Sequence, residues 1–530
     1  QGGPRALRTL YLPPFEAAVR EAGVRSVMPS YNEYDGVPAS CSKLLLTQVL
    51  RDEWGFDGFV FSDFGGIKML CDFHFTAATP GEAARQSLGA GMDVEASSEF
   101  AFGKHLIRMV KQGRIPLEWV DRAVSRVLRA KFLAGLFENP YVDPKAAPRV
   151  VGNDAHRKLA LRVARESIVL LKNERKLLPL DRKINTVAVI GPNARSPQFG
   201  DYTPPGADGV GPFEGIRNAV SRSTNVLYAQ GCHRFELSRD GFSEAVAEAA
   251  RADIAIVVVG GSSHSRGGIG WGDDSGNAAT CGECYDRSEI GLPGVQEDLV
   301  KAVLDTGTPT VLVLVNGRPY GIPDLAGQVP AIIEAWYPGC GGGTALGEIL
   351  FGKVNPSGKL PVTIPRSAGH IPCFYNHKPT AKGRHPVRGK PGQPGREYVF
   401  DTPEPLFEFG HGLSYTTFSY SNLRVTPKRI PPNGRVKVSV DVRNTGKVAG
   451  KEVVQLYVND VISSVTTPVK ELRGFRKISL KPGEKKTVTF TLGPKDLQLL
   501  NEAMEWVVEP GRFEVLVGGR KKSFEVTAPR

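Results

Sequence analysis

The chain has 530 residues, 41% hydrophobic and 23% charged, with a formal net charge of +12 and seven cysteines. That length is too great for one core and suggests roughly three domains. No apolar run approaches the roughly 18 residues of a membrane span. The cysteines are too few for a disulfide scaffold. The Lys and Arg are dispersed, and the one basic cluster, 378–396, is a Pro/Gly-rich loop, so a solvated surface is expected and no nucleic-acid partner. The N-terminus does not read as a signal peptide. Localisation is left open.

Residues 1–135 alternate helical and strand patterns. The spacing predicts a helix around 5–22, a strand at "VRSVMPSYN" (24–32), a helix near 42–54, a strand at 58–61, a helix at 80–89 and a short strand at "GMDVE" (91–95). Such alternation implies β/α units and a parallel sheet. A proline-broken connector at 137–160 divides this part from the next.

Within 161–415 a second α/β pattern runs through strands at 186–191, 253–261, 308–317 and 330–339, with helices near 242–251, 293–305 and 343–351. Their continuous apolar runs are those of strands covered on both faces. From 416 the pattern becomes short alternating strands with frequent turn signals, which indicates an all-β sandwich of the immunoglobulin or fibronectin type.

The most informative stretch is "GFDGFVFSDFGGIKML" (55–70), where an apolar strand ends on Asp63. A carboxylate at the mouth of a buried strand is costly unless it works. Chemistry in parallel β/α folds gathers at the C-terminal ends of strands; the bland alternative is a helix N-cap. Cys281 and Cys284 form a C-x-x-C pair without a second pair at zinc spacing, so two thiols and a disulfide both stay open. Neither a nucleotide-binding P-loop nor an HExxH motif occurs.

Several long motifs in order, "YLPPFEAAVREAGVRSVMPSYNEYDGVPAS", "LRDEWGFDGFVFSDFGGI", "VARESIVLLKNERKLLPL", "WYPGCGGGTALGEILFGKVNPSGKLPVTIPRS" and "FEFGHGLSYTTFSYSNLRV", resemble glycoside hydrolase family 3, the β-glucosidase and β-xylosidase group. The resemblance implies the C-terminal part of a (β/α)8 TIM-like barrel (1–136), an α/β sandwich (161–415) and a fibronectin III-like β-sandwich (416–530). It covers the last three or so of eight barrel strands, so a separate N-terminal chain or segment is expected to complete the barrel.

The resemblance further implies Asp63 as nucleophile and, on "TCGECYDRSEIGLPG", Glu283 as general acid/base, with burial beside the nucleophile raising the acid's pKa. Glu289 is the rival, better read as decorating a helix start. Tyr31 in "PSYN" is expected beside the sugar. Phe64 stands where many β-glucosidases have tryptophan and β-xylosidases cysteine, and Trp271 is expected on the leaving-group side. The expected activity is exo-acting release of terminal β-linked glucose with retention, without a cofactor or metal; β-xylosidase or dual specificity is the alternative, and a non-catalytic sugar-binding remnant is the alternative of another class. The partner is a β-linked oligosaccharide or glycoside, and the sequence leaves room for a homodimer.

Overall fold

The structure is a computed structural model that describes residues 2–96, 99–200, 202–203, 207–263, 279–283, 285–380, 389–390 and 392–528. It divides into two compact units, Gln1–Ala146 and Ala147–Arg530. Among the described residues no helix is long and apolar enough to cross a membrane.

In the first unit, helix α1 (Pro13–Arg20) leads into strand β1 (Ser26–Val27), which pairs in parallel with β2 (Phe59–Val60). A parallel bridge joins Phe61 to Val94 beyond it. Three successive chain passes therefore lie side by side, as β/α repeats require. Helices α2 (Pro80–Ala90), α3 (Lys104–Lys111) and α4 (Leu117–Leu133) follow. Thr79 caps α2 by accepting the Glu82 N–H, and Gly91 ends it at φ 114°. Val60, Ile67, Leu70, Leu88, Met92 and Ile115 form the core.

Two expectations need correction here, and the helix expected near 42–54 is met in a wide form. The expected strand 24–32 shrinks to Ser26–Val27, because Pro29 interrupts the ladder and Tyr31 turns toward β2; a small hairpin, Glu33–Tyr34 with Val37–Pro38, follows. The helix near 42–54 is a wide π-helix, Leu44–Glu53, closed by Trp54 N–H on the Val49 carbonyl. "GMDVE" is only a bridge at Val94, because the Asp93 carboxylate is turned inward. There it accepts from Arg51 at 2.9 Å, Arg126 at 2.9 Å and the Val60 N–H at 2.8 Å.

The second unit opens with α5 (Asp154–Ser167), capped by Asn153, and then builds a six-stranded sheet. Its strands are β3 (Val169–Asn173), β4 (Thr186–Ile190), β5 (Asn225–Ala229), β6 (Ile254–Gly260), β7 (Thr310–Val315) and β8 (Ala331–Glu334). The order is β3-β8-β7-β6-β4-β5, with only β3 antiparallel. Alternate residues supply two cores. Ala255, Val257, Val259, Leu312 and Leu314 face helices α7 (Phe242–Ala250) and α8 (Gln296–Leu304); Ile254, Ile256, Val258, Val311 and Val313 face α6 (Pro212–Ala219) and α10 (Gly342–Leu350), with α9 (Pro323–Gln328) between β7 and β8. Burial on both faces is why these strands read as unbroken apolar runs. Helices α6 and α10 meet through glycine: a Cβ on Gly215 would lie 1.8 Å from the Gly343 carbonyl oxygen.

The C-terminal part is a two-sheet sandwich. One sheet holds β9 (Phe418–Thr426), β10 (Val436–Asn444) and β13 (Lys485–Leu492); the other holds β11 (Gly450–Asp460), β12 (Glu471–Leu480), β14 (Gly511–Val517) and β15 (Arg520–Val526), with a short edge segment Arg429–Ile430. Val436, Val438, Val440 and Val442 alternate inward to meet Val454, Leu456, Val515 and Val517. The sandwich braces the α/β part: Glu166 on α5 pairs with Lys451 and Lys477, and Tyr375 stacks on Phe409 at 4.0 Å beside Tyr457.

Candidate active site

Asp63 stands where β2 runs out. Phe61 and Ser62 still pair, through Phe61 N–H to the Val27 carbonyl and Ser62 N–H to the Val94 carbonyl, and the chain then turns. Gly66 N–H bonds the Asp63 carbonyl at 3.0 Å, and Gly65 takes φ 73°, a left-handed turn that favours glycine. The Phe64 N–H donates to Asp63 Oδ1 at 2.7 Å and so fixes the plane of the carboxylate. Buried Ser62 anchors the turn from below, its Oγ accepting the Ala96 N–H at 2.9 Å.

Tyr31 is brought to this turn. Its hydroxyl donates to the Phe64 carbonyl at 2.8 Å, while its own carbonyl accepts from His74 Nε2 at 2.8 Å. Phe64, next to Asp63, is 63% exposed, and Phe73 and Phe75 on either side of His74 are exposed too. A carboxylate beside an exposed aromatic ring suits a sugar, whose C–H faces stack on such surfaces while its hydroxyls seek charged acceptors. His74 was not singled out from sequence; the "DFHF" stretch carrying it gave no signal of its return to Tyr31.

Glu283 lies in the second unit, on the loop between β6 and α8. The loop is tied to the sheet by Thr280 N–H to the Ser262 carbonyl at 2.7 Å and by Ser262 N–H to Thr280 Oγ1 at 3.0 Å. Cys281, a buried free thiol, meets the Tyr337 hydroxyl at 2.7 Å. Gly282 takes φ 113°, which turns Glu283 outward. Beyond it, Arg318 holds the Tyr285 carbonyl at 2.6 Å and Arg287 the Gly291 carbonyl at 2.9 Å.

The Tyr202 hydroxyl donates to Glu283 Oε2. Sequence reasoning missed Tyr202, which follows β4 and meets Glu283 only through the sheet's folding. The burial expected around Glu283 is absent within its unit, where the side chain is exposed. Glu289 is exposed too, before α8. Trp271 and Cys284 lie outside the described residues. Among the described residues no cluster of His, Cys, Asp and Glu is arranged to hold a metal.

Comparison with known proteins places the chain among sugar hydrolases. Residues 1–130 match the N-terminal domain of glycosyl hydrolase family 3, 168–415 its C-terminal domain, and 452–521 a fibronectin type III-like domain. The chain is 42% identical to a β-xylosidase of Formosa agariphila, over 98% of this chain and 70% of that protein. It is 40% identical to a periplasmic β-glucosidase of Salmonella typhimurium, over 96% of this chain and 68% of that one. Among solved structures, a β-glucosidase from Erythrobacter marinus superposes with a TM-score of 0.90 at 39% identity, over 99% of this chain and 71% of that chain. A mutant β-glucosidase from Listeria innocua in complex with laminaribiose superposes with a TM-score of 0.89 at 34% identity, over 100% of this chain and 71% of that chain.

Proposed function

We propose, for a chain that belongs to glycosyl hydrolase family 3, that Asp63 is the nucleophile and Glu283 the acid/base of a retaining, exo-acting β-glycosidase that releases terminal β-linked glucose. The observation that carries this reading is the turn at Asp63: a carboxylate at a strand's C-terminal end, one oxygen held by the Phe64 N–H at 2.7 Å. An anchored carboxylate attacks along a defined direction, which shortens the search for a reactive geometry.

In the first step Asp63 forms a bond to the anomeric carbon as the glycosidic C–O bond breaks, and Glu283 delivers its proton to the departing oxygen. In the second, Glu283 takes a proton from water, the water oxygen bonds to the anomeric carbon, and the Asp63 ester bond breaks. Tyr202 positions the Glu283 carboxyl, and Tyr31 positions the Phe64 turn.

A β-xylosidase reading is supported by the 42% identity to the Formosa enzyme. Hydrolysis of aryl β-glucoside and aryl β-xyloside by the protein and its Asp63→Asn variant tests both readings. Cleavage abolished by the substitution is expected, and the ratio of kcat/KM values assigns the sugar; cleavage that survives Asp63→Asn would sink the nucleophile assignment.

A further inference from the structure

The C-terminal edge of the six-stranded sheet carries a cavity of about 280 Å³, walled by Arg195 and Ser196 after β4, Tyr228 and Arg234 at and beyond the end of β5, and Ser262 after β6. The position is where the sheet changes its direction of growth, since β5 is added on one side of β4 and β6 on the other. In open α/β sheets a crevice opens outside the carboxyl ends of the strands at that point. Its volume lies just below the range of about 300–1,000 Å³ usual for drug-sized ligands and suits a single sugar unit.

The wall is cationic. The Arg195 guanidinium lies over the Tyr228 ring, 5.1 Å from its centre, and is held there as a flat donor. Arg234 Nε is buried without a hydrogen-bond partner, and among the described residues no carboxylate pairs with either arginine. One carboxylate, Glu236, also lines the cavity, 3.7 Å from His233 on the same wall, and leaves the two guanidiniums in excess. Both guanidiniums line the cavity, and the planar fork of a guanidinium matches a carboxylate.

The cavity also adjoins the Glu283 loop: Ser262, on its wall, accepts the N–H groups of Thr280 and Cys281 at 2.7 and 3.3 Å. We propose that this cavity binds the carboxylate of an acidic sugar unit, a uronic or aldonic acid, between Arg195 and Arg234. Its assignment to the leaving-group side of the substrate rests on the reading of Glu283 as acid/base; the binding itself does not.

The test is calorimetric titration of the full chain with D-glucuronate, D-glucose and inorganic phosphate. Glucuronate is expected to bind, with a Kd at least tenfold weaker in Arg195→Gln and in Arg234→Gln; glucose is expected to show no such dependence. Unfolding midpoints accompany each variant, and Arg195→Gln alone carries the test if Arg234→Gln does not fold. Absence of glucuronate binding, equal Kd values in the variants, or phosphate binding as tightly as glucuronate would overturn the proposal. Aryl β-glucoside hydrolysis by the unsubstituted protein is read in parallel: hydrolysis without glucuronate binding overturns the cavity assignment and leaves the hydrolase reading standing.

Discussion

The Tyr31 hydroxyl donates a 2.8 Å hydrogen bond to the carbonyl of Phe64, the residue whose own N–H holds Asp63. Two neighbouring strand exits are thereby locked together across the turn that presents the carboxylate. A neutral hydrogen bond contributes about 1 kcal/mol. Tyr31→Phe is therefore expected to lower kcat/KM about fivefold through misplacement of Asp63, with an unfolding midpoint within a few degrees of the parent. Steady-state kinetics beside thermal melts check this, and an unchanged kcat/KM would show that the turn holds itself.

Tyr202 and Glu283 make a different test, because acid assistance matters most when the leaving group is poor. Glu283→Gln is expected to cost roughly 10²–10⁴ in kcat/KM for a disaccharide. It should cost far less for a dinitrophenyl glycoside, whose phenolate departs unaided. Tyr202→Phe should show the same selectivity at about a tenth of that size. A loss equal for both leaving groups would mean that these residues bind sugar and do not handle the proton.

Asp93 organises the first unit. Its carboxylate is almost completely buried and pairs with Arg51 and Arg126 at 2.9 Å each, while burial and the second cation hold the Arg51 guanidinium down to about 10. Removing the carboxylate that pairs both arginines leaves two cations facing each other, and breaking a buried pair costs about 3–5 kcal/mol. Asp57 also meets two arginines, Arg25 and Arg129, but on the surface. There the loss is less than about 1 kcal/mol. Urea unfolding of Asp93→Asn and Asp57→Asn should separate widely; equal midpoints would refute the ranking.

Glu334, at the end of β8, is fully buried and accepts from Asn316 Nδ2 at 3.0 Å and from the Trp336 N–H at 3.0 Å. Burial pushes its carboxyl up to about 8, from an ordinary value of 4.5. The folded protein therefore holds a proton that the unfolded chain releases near pH 4.5, so stability falls as pH rises from about 4.5 to 8 and this group takes no more above that. Asp460, raised to about 7 by burial and Glu509, acts in the same sense. The comparison is accordingly with Glu334→Gln, whose melting temperature should decline several degrees less across that window. Identical slopes would place the titration elsewhere.

The strand end before Asp63 was legible because an apolar run that stops on an acid is a local pattern, and the runs at 186–191, 253–261 and 308–317 were legible because both of their faces are buried. Strand β5 was not, since "NVLYA" lies at the sheet edge and is mostly half-buried. Tyr202 was not either: it stands 81 residues from Glu283, and only the adjacency of β4 and β6 closes that distance. "GMDVE" misled because its pattern fits a strand while Asp93 is committed to Arg51 and Arg126. Tertiary ion pairing overrode local propensity there.

The central claim is that Asp63 becomes covalently bound to the sugar. Intact-protein mass spectrometry after incubation with a 2-deoxy-2-fluoro-β-glucoside bearing a good leaving group, followed by peptide mapping, tests it directly, since the fluorine lets the glycosyl-enzyme form but slows its breakdown. The expected result is one added fluoroglucosyl unit on the peptide containing Asp63, and none in Asp63→Asn. A label on another carboxylate would contradict the assignment, as would turnover of aryl β-glucoside without any label.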